Sequence, residues 1–247
     1  RLPGRPWWTR WSTDYSTPVP NPIRRNNVSA LRRVLLAEFL GTLLLLVGVI
    51  GSGIMAVRLS PTDVGLQLLQ NAAATAGVLV AAISIFGTLS ADFNPAVTVG
   101  AWLLGHRRGR EVPGMIAAQV AGAIAGTVLA NVMFDLDVVT WSTRERSGGG
   151  LWLAEVVATT GLLLVVFALI RTRRNTHLPY VIGAYIGGAY YFTSSTSFAN
   201  PAVTIGRMFS DTFAGIKPAD APTFILMQFL GVAATVFLIR VLFPPEN

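Results

Sequence analysis

Two short stretches hold the residues best placed to do chemistry. Phe93-Asn94-Pro95-Ala96-Val97-Thr98 and Ala199-Asn200-Pro201-Ala202-Val203-Thr204 both set Asn, Pro and Ala inside apolar sequence. Asn is a good helix cap and Pro suits the first helical position, so each stretch predicts a helix start. A capping Asn spends its side-chain oxygen on its own backbone N–H groups. The amide hydrogens of Asn94 and Asn200 are then expected to stay free, as donors for an oxygen-bearing solute. Each helix start also brings about half a positive charge. Two such ends ~4 Å from a monovalent cation, at an effective dielectric of ~20, repel it by about 4 kcal/mol. Lost hydration adds to that barrier. Neutral hydroxylated solutes escape both costs.

The surrounding chain has to hold these helix starts in a membrane. Of its 247 residues 52% are hydrophobic and 13% charged, and the mean hydropathy is +0.56, an integral-membrane composition. The absence of cysteine excludes disulfides, thiol nucleophiles and thiolate metal sites. His106 and His177 both adjoin basic clusters, which argues against a buried histidine metal site. The net charge of +7 raises nucleic acid as a partner, but the arginines stand at the ends of apolar segments. They read as orientation signals facing anionic lipid, so no nucleic-acid partner is expected. Helix starts within apolar sequence are tolerated only when buried in protein or lining a watery cavity.

Six spanning helices are predicted, over about 32–57, 64–88, 113–134, 149–170, 178–193 and 223–243. The pieces 95–105 and 201–208 are too short to span and read as half-helices. Arg24, Arg25, Arg32 and Arg33, then His106, Arg107, Arg108 and Arg110, then Arg171, Arg173 and Arg174 fall on one side. The positive-inside rule makes that side, and both termini, cytoplasmic. Residues 1–31, with Trp7, Trp8 and Trp11, lack the apolar core of a secretory signal. They are expected to form either a disordered tail or a Trp/Arg segment on the membrane surface, ahead of one channel domain over 32–247.

The two halves also repeat outside the Asn-Pro-Ala pair. Ala37-Glu38 followed by Thr42 matches Ala154-Glu155 followed by Thr159, and Gln119 to Gly122 matches Gln228 to Gly231. Three spans per half force opposite orientations, hence an inverted 3+3 repeat whose half-helix starts meet near the midplane. Glu38 and Glu155 are charged groups inside spans, a functional signal by default. Gln119 and Gln228 read as braces or as bonds between helices.

Over about residues 34–243 these features make the sequence resemble the aquaporins and aquaglyceroporins, the major intrinsic protein family. The resemblance implies an all-α membrane fold, a homotetramer with one pore per subunit, and no cofactor. It also implies that Glu38 and Glu155 accept hydrogen bonds from the re-entrant backbone; proton transfer is the alternative. Most members place Arg directly after the second motif, where this chain has Val203. Carrying the family's constriction across gives Thr75 (or Ala74), Gly188, Ser197 and Val203. Four small residues predict a wide opening with hydroxyls and no fixed cation. Arg207, four residues past Val203, is either a charge at the outer rim or an interfacial arginine. Asp92 stands where the family usually has histidine. It is either a gate or cation lure at the inner vestibule, or an acid paired with Arg107 or Arg108. Tyr185, Tyr190 and Tyr191 read as packing or interface aromatics.

Val203 and the run that follows it resemble a bacterial branch linked to arsenic resistance. The expectation is a passive channel in the plasma membrane for small uncharged solutes, above all a metalloid hydroxide such as As(OH)3. A general pore for water, glycerol or urea is the nearest rival, and an ion-coupled transporter a more distant one. No nucleophile–base pair points to an enzyme.

Overall fold

The computed structural model describes residues 27–244. Trp7, Trp8 and Trp11 fall outside them, as does most of the tail expected over 1–31. Among the described residues all regular structure is helical: α1 Asn27–Leu59, α2 Val64–Phe86, α3 Pro95–Leu103, α4 Val112–Met133, α5 Gly149–Arg171, α6 Leu178–Phe192, α7 Pro201–Gly206 and α8 Ala221–Leu242. Six of these are the spanning helices, and α3 and α7 are the two half-helices of an inverted repeat. Five are long and apolar enough to cross a bilayer. The 15-residue α6 rises only about 22 Å, and irregular chain continues it into the second motif.

Local sequence explains the starts. Proline stands in the first turn of α3, α4, α6, α7 and α8, where its missing N–H costs nothing. Asp63 caps α2 by accepting the Leu66 N–H at 2.9 Å. Several boundaries shift by a residue or two, and three departures from expectation bear on the site or the membrane. The first helix begins at Asn27, so Arg32 and Arg33 are already helical. Its 33 residues span about 50 Å, more than the hydrocarbon core, so its polar start extends past it. The α3 helix stops at Leu103, ahead of Gly105 at φ +81. Beyond Gly206 the second half-helix tightens into a 3-10 turn over Arg207–Phe209.

Packing follows the repeat. In the first half α1 lies against α2 and α4, and in the second α5 lies against α6 and α8. The half-helices cross over: α3 packs on α8 and α7 on α4, which interlocks the halves. Close approach depends on small residues. A Cβ at Gly122 would collide with the Phe39 carbonyl of α1, and one at the matching Gly231 would press on Val156 and Thr159 of α5. On the outer faces Leu36, Leu69, Leu153 and Phe237 are each more than half exposed, a surface suited to lipid.

Candidate functional site

The two motifs meet as mirror images. Asn94 Oδ1 accepts the Ala96 N–H at 2.8 Å, and Asn200 Oδ1 accepts those of Ala202 at 2.9 Å and Val203 at 3.2 Å. Each amide nitrogen then reaches across. Asn94 Nδ2 donates to the Ala199 carbonyl and Asn200 Nδ2 to the Phe93 carbonyl, both at 2.8 Å. The expectation that both amide hydrogens stay free is therefore corrected. One hydrogen of each pair locks the opposite loop, and the other has no acceptor among the described residues. Pro95, Ala96, Pro201 and Ala202 are buried behind the caps and hold the half-helix starts.

The crossed carbonyls need an unusual backbone. Phe93 sits at φ 46 and Ala199 at φ 47, left-handed conformations that cost non-glycine residues about 1–3 kcal/mol each. Two fully buried carboxylates hold the loops there. Glu38 accepts the N–H of Asp92 at 3.0 Å and of Phe93 at 2.7 Å, the Ser90 hydroxyl, and Gln119 Nε2 at 2.7 Å. Glu155 accepts the N–H of Phe198 at 3.0 Å and of Ala199 at 2.9 Å, and Gln228 Nε2 at 2.6 Å. Each glutamine also donates to the half-helix threonine, Gln119 to Thr98 and Gln228 to Thr204, both at 2.9 Å. Both glutamates turn toward backbone and neither lines the cavity, which favours bracing over proton transfer.

Between the halves lies a cavity of about 530 Å³ that extends to both sides of the motif pair. Asn94, Asn200, Val97 and Val203 line its middle, with Leu79 and Leu162 as apolar wall. Toward the second loop Thr75, Ser197 and Val203 line it, as assigned from the sequence, but Gly188 does not. Gly188 is exposed, on the far side of α6. The cavity face of α6 runs through Ile182, Ile186 and Tyr190, and a step of two residues turns a helix by about 200°. Tyr190, read above as a packing or interface aromatic, is the α6 residue at this throat; its hydroxyl lies 3.1 Å from Thr75 Oγ1. The throat is thus not built of four small residues.

Nor does it lack a cation. Arg207 is 2% exposed and lines the cavity, which overturns the interfacial reading. Its guanidinium carbon lies 3.4 Å from the Phe198 ring centroid, and its Nε donates to the Ala214 carbonyl. Ser197, at φ 50, is buried, and its hydroxyl has no partner among the described residues. The four-residue step from Val203 to Arg207 was the available sequence signal for this placement.

At the opposite mouth Asp92 is paired with Arg107 rather than Arg108. Arg107 Nη2 donates to Asp92 Oδ1 and to Ser90 Oγ, both at 2.8 Å, and Thr98 Oγ1 donates to Asp92 Oδ2 at 3.0 Å. Burial opposes the charged form of Arg107, but the charge and hydrogen bond of Asp92 outweigh it and raise its pKa. Nearby, His106 stacks on Phe167 with centroids 6.0 Å apart, and burial together with the Arg171 charge lowers its pKa.

Residues 25–198 match the family model described as major intrinsic protein. The chain is 47% identical over 218 residues to the protein named aquaglyceroporin AqpS of Rhizobium meliloti, across 88% of this chain and 93% of that one. It is 30% identical over 215 residues to the glycerol uptake facilitator protein of Pseudomonas aeruginosa, across 74% and 75% of the two chains. The crystal structure of the Plasmodium falciparum aquaglyceroporin shares the fold, with a TM-score of 0.67 at 21% identity over 85% of this chain and 95% of that one. By sequence match and by architecture, this chain belongs to the major intrinsic protein family.

Proposed function

We propose that the preferred cargo of this channel is a trivalent metalloid hydroxide, As(OH)3 or a close analogue. The coarser statement follows from the family: the chain is a passive membrane channel for small neutral solutes such as water or glycerol, and not an enzyme. The observation that carries the finer reading is Val203, which leaves the position after the second motif apolar and uncharged. Around it the wall alternates aliphatic surface with oxygen and amide groups from Thr75, Tyr190, Asn94 and Asn200. A compact trihydroxide uncharged at pH 7 can trade its hydration for these groups and slide along the apolar remainder.

In this reading Thr75, Ser197, Val203, Tyr190 and Arg207 form the constriction, and the half-helix starts at Asn94 and Asn200 repel cations. The channel unit covers 32–247. It assembles as a homotetramer in the cytoplasmic membrane with both termini inside, as the arginine clusters and the family resemblance suggest. A general glycerol and water pore is the second reading, favoured by the similarity to a glycerol facilitator and by the bulk of Tyr190.

Proteoliposome uptake of arsenite and glycerol separates the two. Val203→Arg puts a second guanidinium into the throat and is expected to depress both fluxes by roughly tenfold or more. If arsenite flux survives the change while glycerol flux collapses, the filter assignment is wrong. An arsenite flux no faster than that of empty vesicles, beside brisk glycerol flux, establishes the second reading.

A further inference from the structure

Position 203 brings no charge to the throat, yet a charge is there. Four residues beyond Val203, Arg207 ends the half-helix and opens the 3-10 turn, and its side chain returns to the cavity. Three contacts hold it: the Phe198 ring face, the Ala214 carbonyl at Nε, and the turn of its own backbone. The two terminal nitrogens have no acceptor among the described residues. No carboxylate lies within ion-pair distance of it there either. Glu155, the nearby acid, is already occupied by Phe198, Ala199 and Gln228.

A second guanidinium shows what a purely structural arginine looks like in the same place. Arg146 covers Phe198 at 4.8 Å, but its Nε donates to the Gly215 carbonyl at 2.8 Å and its Nη1 to the Ser195 carbonyl at 3.3 Å. It does not line the cavity. Arg146 is tied to the loops, whereas Arg207 lines the cavity and keeps its terminal donors for the lumen.

We propose that Arg207 is the selectivity-determining cation of this channel. Displaced one turn from the motif, it fixes a positive charge in the throat that turns back monovalent cations. Its terminal nitrogens offer donors to an oxygen of the passing solute. The charge is strong because the site is buried and no anion neutralises it. The proposal rests on the channel reading but not on the choice of cargo.

The test measures cation permeability relative to glycerol permeability in vesicles of the full chain, with potassium and ammonium as probes. Arg207→Gln, which keeps donors and removes charge, is expected to raise that ratio by roughly tenfold or more. Arg207→Lys, which keeps charge, should hold it near the wild-type value. Arg207→His adds a readout within one protein: its cation leak should be smaller at acid pH than at pH 8, with a midpoint below the ordinary histidine pKa of ~6.5 because the site is buried. A ratio that stays at the wild-type value in both the Gln variant and the His variant at pH 8 overturns the proposal. So does a uniform fall of all fluxes in every variant, the mark of a merely structural role. Failure of the channel reading gives a different result: wild-type vesicles that pass no neutral solute.

Discussion

The two halves of the molecule repeat one frame and finish it differently. In both, a buried glutamate accepts two loop N–H groups, a glutamine ties that carboxylate to a half-helix threonine, and an asparagine amide crosses to the other loop. The departures lie at the ends. In the first half Thr98 donates to Asp92, and Arg107 joins Asp92 to Ser90 and so to Glu38. In the second Thr204 turns back to the Asn200 carbonyl at 2.9 Å, and the loop runs through left-handed Thr196, Ser197 and Ala199. The polar groups of the first mouth bond to one another, whereas the terminal nitrogens of Arg207 at the second have no acceptor among the described residues. The frame is therefore shared, and the proposals above place discrimination in the second half.

Deleting the braces tests the shared part hardest. Glu38→Ala strands four donors and Glu155→Ala three. Each is expected to cost about 3–6 kcal/mol, read as loss of folded protein on heating in detergent, with Glu38→Ala the worse. A cost near zero for either would break the equivalence of the halves. Next come the crossed amides. Asn94→Ala and Asn200→Ala each lose a cap and a cross-bond, about 2 kcal/mol apiece. Because both bonds serve one junction, a double-mutant cycle should show coupling of about 0.5 kcal/mol or more; strict additivity would mean the motifs are held independently.

Two serines sharpen the contrast. Ser90, bonded to Glu38 and Arg107, should lose about 1 kcal/mol of stability as Ser90→Ala. Ser197, whose hydroxyl is buried without a partner, should change stability by less than about 0.5 kcal/mol as Ser197→Ala. A larger loss at Ser197 than at Ser90 would break the contrast. The smallest effect is of pH. His106 has a lowered pKa, so the folded state resists its protonation. The stability it contributes is full above the ordinary histidine pKa of ~6.5 and declines as pH falls below it. His106→Gln should flatten that slope in thermal melts between pH 7.5 and 5.5. The raised pKa of Arg107 adds no slope there, since its contribution fades only above the ordinary arginine range.

Much of this frame was legible in the chain because its signals are local. Asn-Pro-Ala caps a helix wherever it stands, and the Glu and Gln positions repeat within helices of fixed period. Gly188 is off the cavity because the family's spacing carries it across a loop, and loops have no period. Left-handed turns at Thr196, Ser197 and Ala199 use up chain in a way that helix or strand spacing does not anticipate. The stripe Ile182, Ile186, Tyr190 on α6 points to the right residue once the helix, not the loop, is the ruler. Arg207 was visible at four residues from Val203, but an arginine ending an apolar segment ordinarily reaches for the interface. Only the Phe198 ring and the Ala214 carbonyl, brought in from other loops, reveal why it stays buried.

The central claim is a passive pathway for uncharged solutes between the tips of two half-helices. The most direct measurement is glycerol and arsenite influx into proteoliposomes with proton, sodium and voltage gradients imposed and removed in turn. The account predicts rates that follow the solute gradient and ignore the other three. Influx that requires a proton or sodium gradient, or that scales with voltage, would contradict it.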